Sequence, residues 1–268
     1  MKRKAAVAGY FYPGKAEDLK NTIRELVDAE RPKEKAISVV SPHAGFEYSG
    51  PVAGAVYSSV ILPDTFVILG PSHGSMSSLF AVMTEGSWET PLGKIPLESR
   101  LAENILKSSQ KIEKDESAHR REHSLEVQLP FIQYFKNEIS IAPICISYEA
   151  SYGDLEELGN AIASGIKDFD QNVLIVASTD MSHYVSQKEA KEKDFLAIQK
   201  ILNLDPKGLY ETVVEEDISM CGFQPTTAAL VASKKLGAKK AELIKYQTSG
   251  DRTGDYDRVV GYAGLRIT

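Results

Sequence analysis

Three short apolar segments of this chain run directly into a histidine. They are Ile37 to Ser41 before Pro42-His43-Ala44-Gly45, Thr65 to Gly70 before Pro71-Ser72-His73-Gly74, and Val173 to Ser178 before Thr179-Asp180-Met181-Ser182-His183. Continuous apolar runs of this length, rich in β-branched residues, read as strands buried on both faces. Such strands belong in a sheet covered by helices, and in an open α/β sheet the ligand crevice lies beyond their carboxyl ends. Three of only five histidines are therefore expected on one rim, where imidazoles serve metal binding or proton transfer.

The remaining pattern completes that architecture. Pro51 to Val60 reads as a small-residue helix capped by Ser49 or Gly50, making the first two histidine strands a right-handed βαβ unit. Further helices are predicted over Ala16 to Glu30, Ser99 to Ser108, Asp154 to Phe169 and Gly222 to Leu236, with a short one starting at Asp205-Pro206. Ser117 to Phe135 begins polar and becomes a helix presenting Leu125, Leu129 and Ile132. Gln187 to Leu202 is a charged helix with Phe195, Ile198 and Leu202 inward. Phe80 to Thr84 and Gly93 to Leu97 are expected to pair antiparallel beside the parallel core. Ile139 to Ser147 reads as a buried strand, and Glu242 to Thr248 with Val259 to Ile267 closes the sheet around a polar loop. With no further repeat, low-complexity tract or linker, the expectation is one α/β domain over residues 1–268. It carries a mixed, largely parallel β-sheet flanked by helices.

At 268 residues and 43% hydrophobic content the chain can bury a large core. Its net charge of -6, without a basic block, argues against nucleic acid as a partner. Two cysteines cannot build a disulfide framework. The basic start Met1-Lys2-Arg3-Lys4 lacks a signal peptide's apolar run, and no segment approaches the roughly 20 apolar residues of a membrane span. A cytoplasmic protein with small ligands and no membrane contact is expected.

Several residue sets could carry chemistry, each with a plainer alternative. His43 and His73 are trailed by glycine, which leaves the imidazole unobstructed, although each could be a turn histidine with satisfied hydrogen bonds. Asp180, three residues before His183, can fix that imidazole's tautomer and raise its basicity, or merely cap a turn. His123 sits at a helix start with Glu126 at i+3 and Glu122 beside it, as a site residue or as part of an exposed charged edge. His119, in the same charge-rich loop, is assigned no role. Cys221 precedes a helix start whose dipole favours a thiolate, both nucleophile and metal ligand. Cys145, inside an apolar run, is read as a packing residue.

Taken in order, Ala8-Gly9-Tyr10-Phe11-Tyr12-Pro13, Pro42-His43-Ala44-Gly45-Phe46-Glu47-Tyr48-Ser49-Gly50, Leu69-Gly70-Pro71-Ser72-His73, Glu122-His123-Ser124-Leu125-Glu126, Ser178-Thr179-Asp180-Met181-Ser182-His183 and Cys221-Gly222 resemble the Memo family over nearly the whole chain. That family is similar in fold to class III extradiol ring-cleavage dioxygenases, which hold non-haem Fe(II) with two histidines and a carboxylate. The resemblance implies His43, His73 and Cys221 as metal ligands, with Asp180 and His183 lining the pocket. His183 would stand in the place of the dioxygenase catalytic histidine, and His123 would be a further pocket residue. Iron is the expected metal, with copper or zinc as alternatives because a thiolate is softer than a carboxylate. An exposed thiolate beside a metal that handles dioxygen is also prone to oxidation, which argues against ring cleavage itself.

Three functional readings follow. The first is a mononuclear metal-dependent redox or dioxygenase-like enzyme. The second is a binding module holding a peptide or phosphotyrosine-containing segment without turnover. The third, ranked last, is a metal-free nucleophile pair of Cys221 with His183 or His123. Microbial members also resemble one part of a three-component set that includes a radical S-adenosylmethionine protein, an expected pathway partner.

Overall fold

A computed structural model describes residues 2–74 and 76–268. Its strands are β1 (Lys2–Arg3), β2 (Ser38–Ser41), β3 (Thr65–Pro71), β4 (Phe80–Val82), β5 (Ser87–Thr90), β6 (Gly93–Pro96), β7 (Ile112–Lys114), β8 (Ser140–Ile146), β9 (Val173–Ser178), β10 (His183–Val185), β11 (Ala241–Thr248) and β12 (Val259–Ile267). The helices are α1 (Ala16–Leu26), α2 (Phe46–Ser58), α3 (Ser99–Lys107), α4 (Leu129–Phe135) after a 3₁₀ turn at Glu126–Gln128, α5 (Tyr152–Lys167), α6 (Gln187–Leu202), α7 (Pro206–Glu215), α8 (Phe223–Lys235) and α9 (Gly250–Thr253).

The three histidine-tipped strands are neighbours. The main sheet runs β12-β2-β9-β3-β8-β4-β7, with β11 and β10 also pairing to β12. β2, β9, β3 and β8 are mutually parallel, whereas the β12–β2 and β8–β4 pairings that flank them are antiparallel. Register levels the strand ends: Ser41 pairs with Ser178, and Leu69 with Ala177. The first and second histidine strands are thus separated by the third.

Both faces of these central strands are buried, which is why they carry no polar alternation. Val40, Val67, Leu69, Ile175 and Ala177 pack toward a core that includes Leu158, Ile162, Ile198 and Leu230 from α5, α6 and α8. Val39, Phe66, Ile68, Leu174 and Val176 face the opposite core with Ile23, Val56 and Phe131 from α1, α2 and α4. The result is a mixed sheet between two helical layers. No helix among the described residues is long and apolar enough to cross a membrane.

Several expected elements differ in detail. Phe80–Val82 joins the main sheet antiparallel to β8, while Gly93–Pro96 pairs instead with Ser87–Thr90 in a small sheet with β1. The hairpin across the Thr90-Pro91-Leu92-Gly93 turn is more local, so it wins over the longer pairing. α1 stops at Leu26, short of Glu30, and α2 starts at Phe46 before Pro51. Ser49 does not cap that helix; its hydroxyl donates to the Ala44 carbonyl at 2.8 Å. On α6, Phe195 is 46% exposed and Ile198 and Ile201 supply the buried face. Ser117 to Phe135 is helical only from Glu126, and Glu126 turns away from His123.

Glu126 anchors the amino-terminal segment. Its carboxylate accepts from Arg3 Nη1 at 2.6 Å, from the Tyr12 hydroxyl at 2.6 Å, and from the backbone N–H groups of Ala6 and Val7. Both side chains of the Arg3–Glu126 pair are essentially fully buried, and the guanidinium also lies 4.0 Å over the Trp88 ring. Arg3 Nε and Nη2 donate at 2.6 Å to the His119 and Glu122 carbonyls, bracing the loop between them. His119, in its charge-rich loop, is itself buried. Its Nε2 reaches the Ala81 carbonyl and its Nδ1 the Cys145 thiol.

Removing one member of a fully buried ion pair leaves an uncompensated charge. Arg3→Ala is expected to cost about 3–5 kcal/mol in urea unfolding; a loss no larger than that of an exposed lysine would contradict the bracing role. A second expectation concerns pH. Burial lowers the His119 pKa to about 4, so between about 6.5 and 4 the unfolded chain binds the extra proton and stability falls as pH falls. His119→Gln should flatten that part of the stability profile, and an unchanged slope would refute the assignment.

Candidate functional site

The level strand ends place His43 and His73 together. Their rings are 5.4 Å apart, with His123 at 4.4 Å from His73 and 5.5 Å from His43. Cys221 closes the group from the segment entering α8, its Sγ 3.3 Å from His43 Nε2. One ligand atom each from His43, His73 and Cys221 lies within 4.8 Å of the others, and the same holds for Asp180, His183 and Cys221. A third such group, His73, Glu122 and His123, shares His73. All six residues singled out from the sequence therefore converge on one cleft.

Two glycines permit that convergence. A Cβ on Gly222 would stand 2.3 Å from the Ser178 carbonyl oxygen, so only glycine lets the Cys221 segment press against the end of β9. A Cβ on Gly70 would stand 2.4 Å from Ser124 Oγ, so the Glu122–Leu125 segment could not lie against β3.

The imidazoles are held in one tautomer by three different acceptors. His73 Nδ1 lies 3.0 Å from Glu122 Oε1, and a carboxylate only accepts. His183 Nδ1 lies 2.8 Å from the Ser219 carbonyl, which likewise only accepts. His43 Nδ1 lies 2.9 Å from Ser178 Oγ. That hydroxyl spends its single proton on the Ser124 carbonyl at 2.6 Å and also accepts from Gln128 Nε2. It must therefore accept from His43 as well. Each ring therefore donates from Nδ1, and Nε2 is the nitrogen left for another partner. His119 has the opposite tautomer and both nitrogens engaged, as a structural histidine should.

Burial sets the charge of two of the imidazoles. Burial, assisted by His73, lowers the His43 pKa to about 3, and burial with His43 lowers His123 to about 4. Burial alone would raise Glu122, but the His73 hydrogen bond and the N–H groups of His73 and Ser124 hold it well below the usual carboxylate range. Burial pushes the Asp180 carboxyl up. It also pushes the Cys221 thiol up, with Asp180 adding to the effect, so the helix start does not favour a free thiolate as expected.

Asp180 does not orient His183. Its Oδ1 accepts from the His43 backbone N–H at 2.8 Å, because the chain leaving β9 turns toward neighbouring β2. His183 is oriented by Ser219 instead, through both its N–H and Nδ1. Ser182, just before it, donates its N–H to buried Asp194 on α6. His43 is buried, whereas the His73 side chain is 33% exposed and marks the open side of the cleft. Tyr148 and Phe11 border it, Phe11 4.7 Å from the His123 ring.

Glu122, Ser178, Gln128 and Ser219 were not singled out as supports. Only Glu122 had a local signal, its place beside His123. The others act across 36 to 135 residues of sequence.

Comparison with known proteins identifies the family. The family model described as Memo-like protein matches residues 3–266. A MEMO1 family protein of Methanopyrus kandleri is 41% identical over 282 residues, covering 99% of this chain and 98% of that one. MEMO1 family proteins of Methanosarcina mazei and Thermotoga petrophila are each 43% identical, covering 99% and 98% of this chain and 98% of their own. Among solved structures, an uncharacterized protein of Escherichia coli shares the fold, with a TM-score of 0.55, 13% identity, and coverage of 85% of this chain and 99% of that one. The chain belongs to the Memo-like protein family.

Proposed function

We propose that His43, His73 and Cys221 hold one metal ion and that the cleft above them is the active site of a metal-dependent redox or dioxygenase-like enzyme acting on a small molecule or peptide. The carrying observation is that one ring nitrogen of each histidine and the Cys221 sulfur gather within 4.8 Å of one another, with Nδ1 of each imidazole already donating to a protein acceptor. Metal-bound histidines characteristically carry such a partner on the far nitrogen, which fixes the ring and strengthens the ligand.

The donor set fits a transition metal. Two neutral imidazoles and one sulfur match iron, copper or zinc better than magnesium or calcium, which prefer oxygen. Iron remains the favoured ion, because the ligand set is one thiolate away from the two-histidine, one-carboxylate arrangement. When bound, the ion would supply Lewis acidity and, for iron or copper, an exchangeable electron. The Cys221 proton, held on the thiol by its surroundings, would leave as the sulfur becomes a ligand.

The remaining residues have roles set by where their free atoms lie. His183 donates Nδ1 to the Ser219 carbonyl and brings a ring nitrogen within 4.8 Å of ligand atoms of Asp180 and Cys221, so it is placed to exchange a proton with a substrate in the cleft. Asp180, raised by burial, can hold a proton at its carboxyl while still receiving the His43 N–H. His123, held neutral by burial and packed between the tilted rings of Phe11 and His73, gives the cleft an aromatic wall against which a planar group can rest.

Metal analysis of protein purified without added metal should find near-stoichiometric iron or copper, lost in Cys221→Ser and in His43→Ala. A metal-free native protein, prepared anaerobically, would refute the proposal. Glu122→Gln keeps an acceptor for His73 Nδ1 but removes the charge. It should weaken metal affinity by about 10–100-fold in a chelator competition, and unchanged affinity would remove Glu122 from the site.

A further inference from the structure

The cleft does not end at His73. A cavity of about 400 Å³ is lined by His73, Gly74, Glu122, Arg120 and Arg121. The same two arginines line a second cavity of about 620 Å³ with Lys2 and Lys4. One continuous run of surface thus leads from the open imidazole to four cations.

Those cations stand out in a chain of net charge -6. Lys2 is paired with Glu89. Among the described residues, however, Lys4, Arg120 and Arg121 are exposed and make no ion pair with any carboxylate. Two adjacent guanidiniums repel each other and offer fork-shaped donors suited to carboxylate or phosphate.

The backbone that carries the two arginines is braced. Arg3 donates to the carbonyls of His119 and Glu122, which flank the Arg120-Arg121 pair on either side. The Arg120 N–H returns to the Ser117 carbonyl, and the Glu122 carboxylate is fixed on His73 and Ser124. The brace fixes where the two side chains leave the backbone, beside the His73 end of the cavity.

We propose that Arg120 and Arg121 form an anion subsite that receives the carboxylate or phosphoryl end of the substrate, with the reacting portion lying at His73 and the adjoining imidazoles. The assignment of reacting and anchored ends rests on the metal-site reading above; the anion subsite itself does not. The substrate class would then be a ligand carrying a negatively charged group one short span from the reacting atoms.

The test is titration of the full-length, metal-free protein with phenyl phosphate, benzoate and neutral benzamide, followed by calorimetry and by the histidine ring resonances. At least one of the anions should bind and shift the His73 and His123 signals, while benzamide should not. Arg120→Gln/Arg121→Gln should weaken that binding by about tenfold or more, with unfolding unchanged and with the same metal content as the native protein before the metal is stripped. Tighter phenyl phosphate supports a phosphoryl end and tighter benzoate a carboxylate end. Absence of anion binding, equal binding by the double variant, equal binding of benzamide, or binding that leaves His73 unmoved would each overturn the proposal. Because the titration uses protein without metal, its failure is distinct from failure of the metal content experiment.

Discussion

The site depends on the parallel adjacency of β2, β9 and β3. Strands in a sheet lie about 4.8 Å apart, so residues just beyond three level strand ends are delivered within side-chain reach of one another without any loop having to search for the geometry. His43 leaves the first strand, Asp180 the middle one and His73 the third. Because the middle strand comes from far later in the chain, the cleft exists only once residues near 40, 70 and 180 have paired. Burial of both sheet faces then makes slippage of that register costly, since shifting one residue would send Val39 and Val40 to the wrong cores.

Placement is not orientation, and the structure solves the second problem separately. A carboxylate, a hydroxyl and a carbonyl, each from a different segment, take the Nδ1 proton of a different histidine. The hydroxyl is itself set by Gln128, whose own carbonyl accepts from the Tyr57 hydroxyl at 2.8 Å. His119 makes the contrast plain: with a carbonyl on Nε2 and a thiol on Nδ1, it has no nitrogen left for chemistry. Four of the five histidines therefore divide by what occupies their second nitrogen, which counting them could not reveal.

Much of this was legible in the sequence because apolar strands and trailing glycines are local signals. The strand ends, His43, His73 and the Cys221 segment at the α8 start all follow from patterns within a few residues. What was not legible depends on partners distant in sequence. Asp180 and His183 sit three residues apart and invite a pairing, yet Asp180 serves the neighbouring strand and Ser219 serves His183. Glu126 sits at helical spacing from His123 and invites another, yet a buried arginine 123 residues away claims it. In both cases a tertiary donor outcompeted the local one. Phe195 failed for a related reason: a charged helix with a weak apolar stripe can be turned by its packing, and Ile201 took the buried place.

Cys221 has a consequence of its own. A sulfur whose surroundings favour the thiol over the thiolate is a slow nucleophile and a slow target for peroxide. Its neighbours thus act as a safety catch, keeping the most reactive side chain of the cleft quiet until something with a greater claim on the sulfur than a proton arrives.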